Sequence, residues 1–308
     1  MKIYGAGMAG LLAASVLRRL KPEVHEAQPS LPNNHSALLR FRTDVCSKAT
    51  GIPFKRVEVQ KAIFHDGEIK ATGNIALNNM YSQKVSGKIS DRSIINLKAG
   101  ERFIAPGNFI TQMAATADIK FGSVLTKEEL LARTSLSAPV ISTIPAPVMM
   151  AMANWKEKVD FQWRSVWAVT ARVEDCNIYQ TVYYPSPDLN YYRASLTGDL
   201  LTLEYSKAPL WLEKDCADVM AGLGVSCTLK DLQVKEQKYG KLTPLADPAS
   251  CRKFVLYLTD RFRVYSLGRF ATWRQLLLDD VVKDIGVIEK IIECRDDYQR
   301  ALAQMHES

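Results

Sequence analysis

Lys2-Ile-Tyr-Gly-Ala-Gly-Met-Ala-Gly10 opens the chain, and its reading decides the fold. Lys2 to Tyr4 is a short strand that runs into Gly5-Ala6-Gly7-Met8-Ala9-Gly10, and the alanine-rich stretch Leu11 to Leu20 reads as the helix that follows. Pro22 ends that helix, and Glu23-Val-His-Glu26 reads as a second strand. A Gly-x-Gly-x-x-Gly is a weak signal by itself. Here it stands between strand and helix, and an acidic residue, Glu26, closes the next strand about twenty residues further on. Gly5 allows the tight turn, Gly7 lets the backbone approach a pyrophosphate, and Gly10 lets helix and strand pack closely. The helix N-terminus offers unpaired N–H groups and positive potential to phosphates. Glu26, followed by Ala27, is placed to accept hydrogen bonds from ribose hydroxyls, and its charge disfavours a 2′-phosphate and hence NADP. These residues specify a dinucleotide site and leave FAD and NAD open.

Beyond this unit come a polar loop, Pro29 to Ser36, and an alternating stretch, Leu38-Leu-Arg-Phe-Arg42. Arg56 to Phe103 shows short alternating segments punctuated by Asp66-Gly67, Thr72-Gly-Asn74 and Ser86-Gly87, which predicts antiparallel strands. Phe109 to Ala117 reads as a helix, Ile119 to Leu125 as a strand, and Val140-Ile-Ser-Thr-Ile144, bounded by prolines, as a buried strand. β-Branched and aromatic residues alternate from Val159 to about Tyr205, predicting a second sheet. Arg263 to Gly268 is a further strand, and a helical pattern runs from about Gln275 to the end. We therefore expect an α/β fold with a Rossmann-type nucleotide-binding domain in three chain segments, 1–45, 106–150 and 251–308, the last with a C-terminal helix. An inserted antiparallel β-sheet substrate domain takes 46–105 and 151–250.

The 308 residues are 47% hydrophobic, enough to bury a core. No apolar run reaches the roughly 20 residues of a membrane span. A motif starting at Gly5 leaves no room for a signal peptide, so a cytoplasmic location is expected. Six scattered cysteines without a CxxC pair point to reduced, structural thiols. Four histidines (His25, His35, His65, His306) fall in no ligand spacing, and no metal site is expected. The net charge of +7 favours anionic partners such as nucleic acid or nucleotide sugars.

Several stretches carry a resemblance. Residues 2 to 26 are similar to the ADP-binding motif of the glutathione-reductase-like FAD superfamily, though shorter between helix and glutamate and with Pro22 where a glycine is usual. Phe109 to Val124 resembles the helix and strand whose valine contacts the adenine there, and Val140 to Pro145 resembles the strand returning from the substrate domain. Leu267-Gly-Arg-Phe-Ala-Thr-Trp-Arg-Gln-Leu-Leu-Leu-Asp-Asp280 resembles the second FAD motif of UDP-galactopyranose mutases, in which Gly-Arg precedes an aromatic pair and Met-Asp opens a helix. Leu278 replaces that methionine and Gln275 the second aromatic. The resemblance implies FAD as cofactor, with Gly268 and Arg269 at its diphosphate. It also makes Asp279 the start of a helix aimed at the flavin pyrimidine, where the helix dipole would favour a reduced, anionic flavin. Tyr183 to Arg193 resembles the mutases' Tyr-Thr-Arg strand beside the flavin, whereas their Gly-Gly-Asn segment after the acidic residue is absent. As a whole the chain most resembles small bacteriophage flavoproteins, some of which act in thymidine hypermodification; His35 to Arg42 and Thr50 to Phe54 carry that likeness.

With no Ser/His/Asp or Cys/His constellation, a flavin must carry the chemistry. Arg193, on a predicted inner strand, is the first candidate for a substrate carboxylate, because a guanidinium binds one bidentately; a surface-strand arginine is the plain alternative. Strand alternation puts Tyr191, not Tyr192, on the face of Arg193. Arg40 and Arg42 share a face and are expected near phosphate or flavin, or else on a solvated strand. Trp155, Trp163 and Trp167 stack on bases if the substrate is DNA, and otherwise belong to the core. Three functions follow. One is an FAD-dependent oxidase or lyase cleaving a C–N bond of an amine, best a glycine adduct of thymidine in phage DNA. Another is a non-redox mutase on a nucleotide sugar, with reduced flavin as nucleophile. The third is a non-catalytic dinucleotide-binding module.

Overall fold

The computed structural model describes residues 1–31, 40–89, 94–226 and 228–307, with side chains as far as Tyr298. His35, Leu38, Leu39, Cys227 and the His306 side chain, which figured in the sequence reading, lie outside the described residues.

In chain order, β1 (Lys2–Tyr4), α1 (Met8–Val16) and β2 (Glu23–Glu26) form the opening unit. β3 (Arg40–Phe41), α2 (Val45–Thr50), β4 (Lys55–His65), β5 (Glu68–Lys70) and α3 (Ile75–Ser86) come next. β6 (Gly100–Ile104), α4 (Phe109–Ala115), β7 (Asp118–Phe121), α5 (Lys127–Leu131), β8 (Val140–Ser142) and α6 (Ala146–Met152) follow. Then β9 (Trp163–Val173), β10 (Ile178–Tyr183), β11 (Tyr191–Gly198) and β12 (Leu200–Tyr205) run in succession. α7 (Leu212–Gly222), β13 (Leu229–Leu242), α8 (Pro248–Phe262), β14 (Val264–Ser266) and α9 (Leu278–Glu307) complete the chain.

The strands form two sheets. The first is wholly parallel, in the order β14-β8-β1-β2-β7, and draws its strands from the start, middle and end of the sequence. β8 and β14 are apolar and buried, as covered strands of a parallel sheet are, whereas the edge strand β7 is mostly exposed. Leu11, Leu12 and Ala13 of α1, Phe109 and Met113 of α4, and Val281, Ile285 and Ile288 of α9 pack on one side with Ile3 and Val24. Met149 and Met150 of α6 and Phe254, Leu258 and Phe262 of α8 pack on the other with Val140 and Val264.

The second sheet has the order β13-β9-β12-β11-β10-β4-β6-β3, with β5 paired on β4. Its pairings are antiparallel except β10 on β4, which are far apart in sequence and run parallel. One face is buried beneath α7, where Cys216, Val219 and Met220 meet Val169, Ala194, Leu196, Leu201 and Leu203.

One stretch expected as strand is a helix. α3 starts where the Asn74 side chain accepts a hydrogen bond from the Leu77 N–H at 2.9 Å, and ends at Gly87 with φ of 72°. The Asn and Gly residues between predicted strands are thus an N-cap and a left-handed C-cap. Leu77, Tyr81, Ser82 and Val85 are buried at helical spacing, a stripe that short-range alternation hides. Lys84 of this helix donates to the carbonyls of Tyr184, Ser186 and Tyr191, closing the β10–β11 connection. Among the described residues no helix is long and apolar enough to cross a membrane.

Candidate functional site

The Gly5 turn is set by three different constraints. Gly5 has φ of 103°, a backbone that side chains rarely adopt, and a Cβ there would sit 2.1 Å from Thr143 Oγ1. A Cβ on Gly10 would fall 1.9 Å from the Gly5 carbonyl oxygen, so only glycine lets α1 rest on the turn. Nothing lies within 4 Å of the place where a Gly7 Cβ would be. Gly7 is the N-cap of α1, with no side-chain cap and no acidic residue in the first turn. The helix therefore presents its first N–H groups and its positive end to open space, an arrangement that suits an anion.

Glu26 is buried at the C-terminal end of β2. Its carboxylate accepts the Ala6 N–H at 2.7 Å and the Gln28 N–H at 3.0 Å, so it ties the turn to the strand; Ala27 lies between Glu26 and Gln28 in the chain. The Ser123 N–H donates to the Glu26 carbonyl at 2.9 Å, which sets Val124 beside this strand end with its apolar side chain half exposed. Residues 5–10, Glu26 and Val124, singled out separately in the sequence, are thus gathered at one end of the parallel sheet.

The C-terminal motif reaches the same turn. Gly268 has φ of 88°, and a Cβ on it would lie 2.9 Å from the Ala9 Cβ, so the backbone after β14 rests against the first turn of α1, next to Met8. Arg269 points elsewhere: its guanidinium donates to the carbonyls of Gly240, at 2.8 Å, and Tyr239 on β13. Asp279 is buried in the first turn of α9, and its carboxylate accepts from the N–H of Thr43, at 3.0 Å, and from the Thr43 hydroxyl. It joins α9 to the segment entering α2, a partner for which the sequence gives no cue. Burial and the nearby Asp279 push the Cys46 thiol up to about 12, so this cysteine stays protonated.

The second sheet turns a polar face away from α7. Lys61, Thr181, Ser195, Thr202, Thr170 and Gln233 are direct partners across β4, β10, β11, β12, β9 and β13, forming one transverse row. The Thr181 and Ser195 hydroxyls lie 3.2 Å apart, and Arg40 donates to Thr181 Oγ1 at 3.1 Å. The next row carries Tyr183, Arg193 and Glu204. Both edges of this sheet touch the parallel half: Phe41 of β3 packs with Phe54 and Phe109, and β13 meets Arg269 and Gln275.

Two sequence expectations are corrected here. The pairing of β11 with β12 slips between Tyr191 and Arg193, a β-bulge that inserts one residue. Tyr191 accordingly sits on the α7 side, wedged edge-on between Tyr184 and Tyr205, while Tyr192 packs on Tyr81 of α3 on the side of Arg193. Arg193 shares a face with Tyr192, and Tyr191 is core. Nor is Arg193 free for a substrate carboxylate, because it already holds one: its Nη2 lies 2.5 Å from Glu204 Oε1. Burial opposes both charges and the pairing overrides it, raising Arg193 and holding the Glu204 carboxyl at about 2 with help from Lys241. Trp155 and Trp163 stack on protein aromatics, and Trp167 packs against the α7-side core. Among the described residues no group of three potential metal ligands occurs.

No family model matches the chain, and no curated protein does. Solved structures do. Reduced UDP-galactopyranose mutase is similar over 95% of this chain and 93% of its own, with a TM-score of 0.68 at 15% identity. An oxidoreductase from Methanosarcina mazei is similar over 94% and 100%, with a TM-score of 0.57 at 11% identity. Aklavinone-11 hydroxylase, solved with FAD and aklavinone, is similar over 94% of this chain and 61% of its own, with a TM-score of 0.53 at 12% identity. At such identities the likeness is one of fold.

Proposed function

We propose that the chain is an FAD-dependent enzyme that oxidises an amine carried on a nucleotide, with a glycine-type adduct of thymidine in DNA as substrate. The observation that carries the cofactor is the meeting of Gly268 with Ala9 above an uncapped α1, with open space over Gly7 and Glu26 at the neighbouring strand end. Two motifs far apart in sequence build one cradle, and its empty side is the side a diphosphate needs. FAD is favoured over NAD because the segment that meets Ala9, Leu267 to Asp280, resembles a second FAD motif.

In this reading the residues have separate tasks. The N–H groups of Met8, Ala9 and Gly10 face the diphosphate, and Glu26 accepts from the ribose while keeping its bond to Ala6. FAD supplies the two-electron oxidant when bound. The row Lys61-Thr181-Ser195-Thr202-Thr170 offers hydroxyls and a cation to orient the substrate, while Arg193 beside it is engaged with Glu204. Loss of hydride beside the amine nitrogen gives an imine, and water cleaves that imine to an oxo acid and a primary amine. Such chemistry asks for alignment more than for an acid–base cluster.

The protein is expected to purify yellow, and heat extraction followed by chromatography is expected to release FAD; release of NAD, or no binding at micromolar FAD, refutes the cofactor assignment. Nucleoside mass spectrometry of glycinyl-thymidine DNA after incubation tests the substrate. A mutase reading is favoured by the likeness to reduced UDP-galactopyranose mutase along nearly the whole of both chains. An unchanged adduct, together with ring interconversion of UDP-galactose by the reduced protein, replaces the first reading with this one.

A further inference from the structure

β3, β4 and β6 gather cations on one face and place their acids on the other. Arg40 pairs with Ile104, and Lys55, Val57 and Val59 pair with Ile104, Arg102 and Gly100, so period-two alternation sets Arg40, Arg102 and Lys61 on a common face. Glu58 and Glu101 are opposite each other one residue out of step, on the reverse face, where Glu101 is held by Arg56. Gly100 leaves a gap in the cationic face. A Cβ there would sit 3.3 Å from Arg102 Nη1 and 3.4 Å from Lys61 Nζ, so the two cations border one small space.

None of Arg40, Arg42, Lys61 and Arg102 forms an ion pair with a carboxylate among the described residues. Arg40 donates to Thr181, Lys61 to the Lys98 carbonyl at 3.2 Å, and Arg102 to the Glu101 carbonyl at 2.6 Å. Burial and the neighbouring charges of Arg193 and Arg102 bring Arg40 down to about 10 against the opposing pull of Glu204, and burial with Arg102, Arg42 and Arg40 lowers Lys61. Like charges gathered with no directly paired carboxylate repel one another, and a ligand that brings negative charge relieves this. Arg40 and Lys61 both adjoin Thr181 in the polar row, so the cluster lies at the edge of the substrate face, not at the Gly5 turn.

We infer that Lys61, Arg102, Arg40 and Arg42 form a phosphate subsite that takes a phosphate group of the substrate's nucleotide, distinct from the diphosphate cradle of the cofactor. The inference rests on the proposed function in placing the substrate on this face. The ligand chemistry is a phosphate oxygen presented to guanidinium forks and one ammonium, and it comes either from a free nucleotide or from a DNA backbone.

The test is binding of thymidine 5′-phosphate and of a twelve-base thymidine oligonucleotide to the purified full-length protein, followed by titration calorimetry at several salt concentrations. The double variant Lys61→Gln/Arg102→Gln is expected to weaken binding at least tenfold and to flatten the salt dependence, with FAD content and thermal midpoint unchanged. Lys127→Gln/Lys290→Gln, which removes the same charge from exposed helix positions, is expected to bind like the parent. Competition by thymidine 5′-phosphate alone identifies a free nucleotide as the source, and tight binding of the oligonucleotide alone identifies a backbone. Equal loss in both double variants, or no loss in the first, overturns the subsite. A fall in FAD content in Lys61→Gln/Arg102→Gln also overturns it, since the cations would then serve the cofactor. Failure of the proposed function reads differently: the protein then carries no FAD or leaves the thymidine adduct unchanged, whereas phosphate binding is still measured.

Discussion

At the Gly5 turn, the ligand-facing surface is backbone and the shape is set by side chains that are missing; on the polar face of the second sheet, the surface is side chain and the shape is set by register. The turn has Gly5, Gly7 and Gly10, with one carboxylate, Glu26, bracing the loop. The sheet has a row of hydroxyls and a half-buried ion pair, with Thr181 meeting Ser195 and Arg193 meeting Glu204 on the next strand. The first kind of site fails when anything is added. The second fails when a partner is taken away.

The greatest effect is expected where the turn admits no addition. Gly10→Ala brings a methyl group to 1.9 Å from the Gly5 carbonyl. Separating α1 from β1 is expected to cost on the order of 4 kcal/mol, a severe loss by the standard of single substitutions. Urea unfolding measures it, and a loss below about 1 kcal/mol breaks the comparison at its first term.

Next comes removal of a partner. Glu204→Gln leaves the Arg193 guanidinium without its counter-ion, and about 2–3 kcal/mol of stability is expected to go, less than for a fully buried pair because part of each side chain reaches solvent. The pH dependence sharpens this. Glu204 titrates at about 2 in the fold against 4.5 ordinarily, so its contribution is complete above pH 4.5 and vanishes as pH falls toward 2. The stability gap between parent and variant should therefore narrow across that window; a gap constant to pH 3 refutes the assignment.

Glu26→Ala removes two backbone hydrogen bonds and the ribose acceptor together, and is expected to cost about 1–3 kcal/mol in the apoprotein and again in FAD affinity. If only FAD affinity moves, the bonds to Ala6 and Gln28 contribute nothing to the turn. The smallest stability change is expected for Gly7→Ala, within about 1 kcal/mol, because the new methyl meets open space. FAD affinity, by contrast, should fall at least tenfold in titration of the apoprotein, since that space is where the diphosphate approaches. Unaltered affinity would place the diphosphate away from Gly7.

The same contrast explains what was legible in the sequence. The turn could be read because glycine needs a reason, and three of them before a helix with a glutamate after the next strand admit few others. The parallel sheet was legible through its apolar strands, including β8 between its prolines. The polar face was not, because Thr181, Ser195, Thr202 and Thr170 alternate with apolar neighbours just as they would on a strand facing water. Nothing in the spacing announces that Glu204 will meet Arg193, or that Thr43 will hold Asp279. The α3 stripe escaped because its caps are also turn residues, and α7 and α8 lie in stretches whose pattern suggested nothing. The bulge in β11 defeated the assignment of Tyr191, since alternation assumes an unbroken ladder.

That bulge gives the strand an unusual grammar. Tyr192 and Arg193 occupy what amounts to a single place in the alternation, so two consecutive letters are spoken on the same side. Deleting either letter leaves the frame of every other residue intact: Tyr191 still addresses α7 and Ser195 still addresses the site. A deletion anywhere from Ala194 to Thr197 instead exchanges the two faces for all that precedes it or all that follows. The strand thus tolerates a change of length at one address alone, and that address lies beside the guanidinium on the polar face.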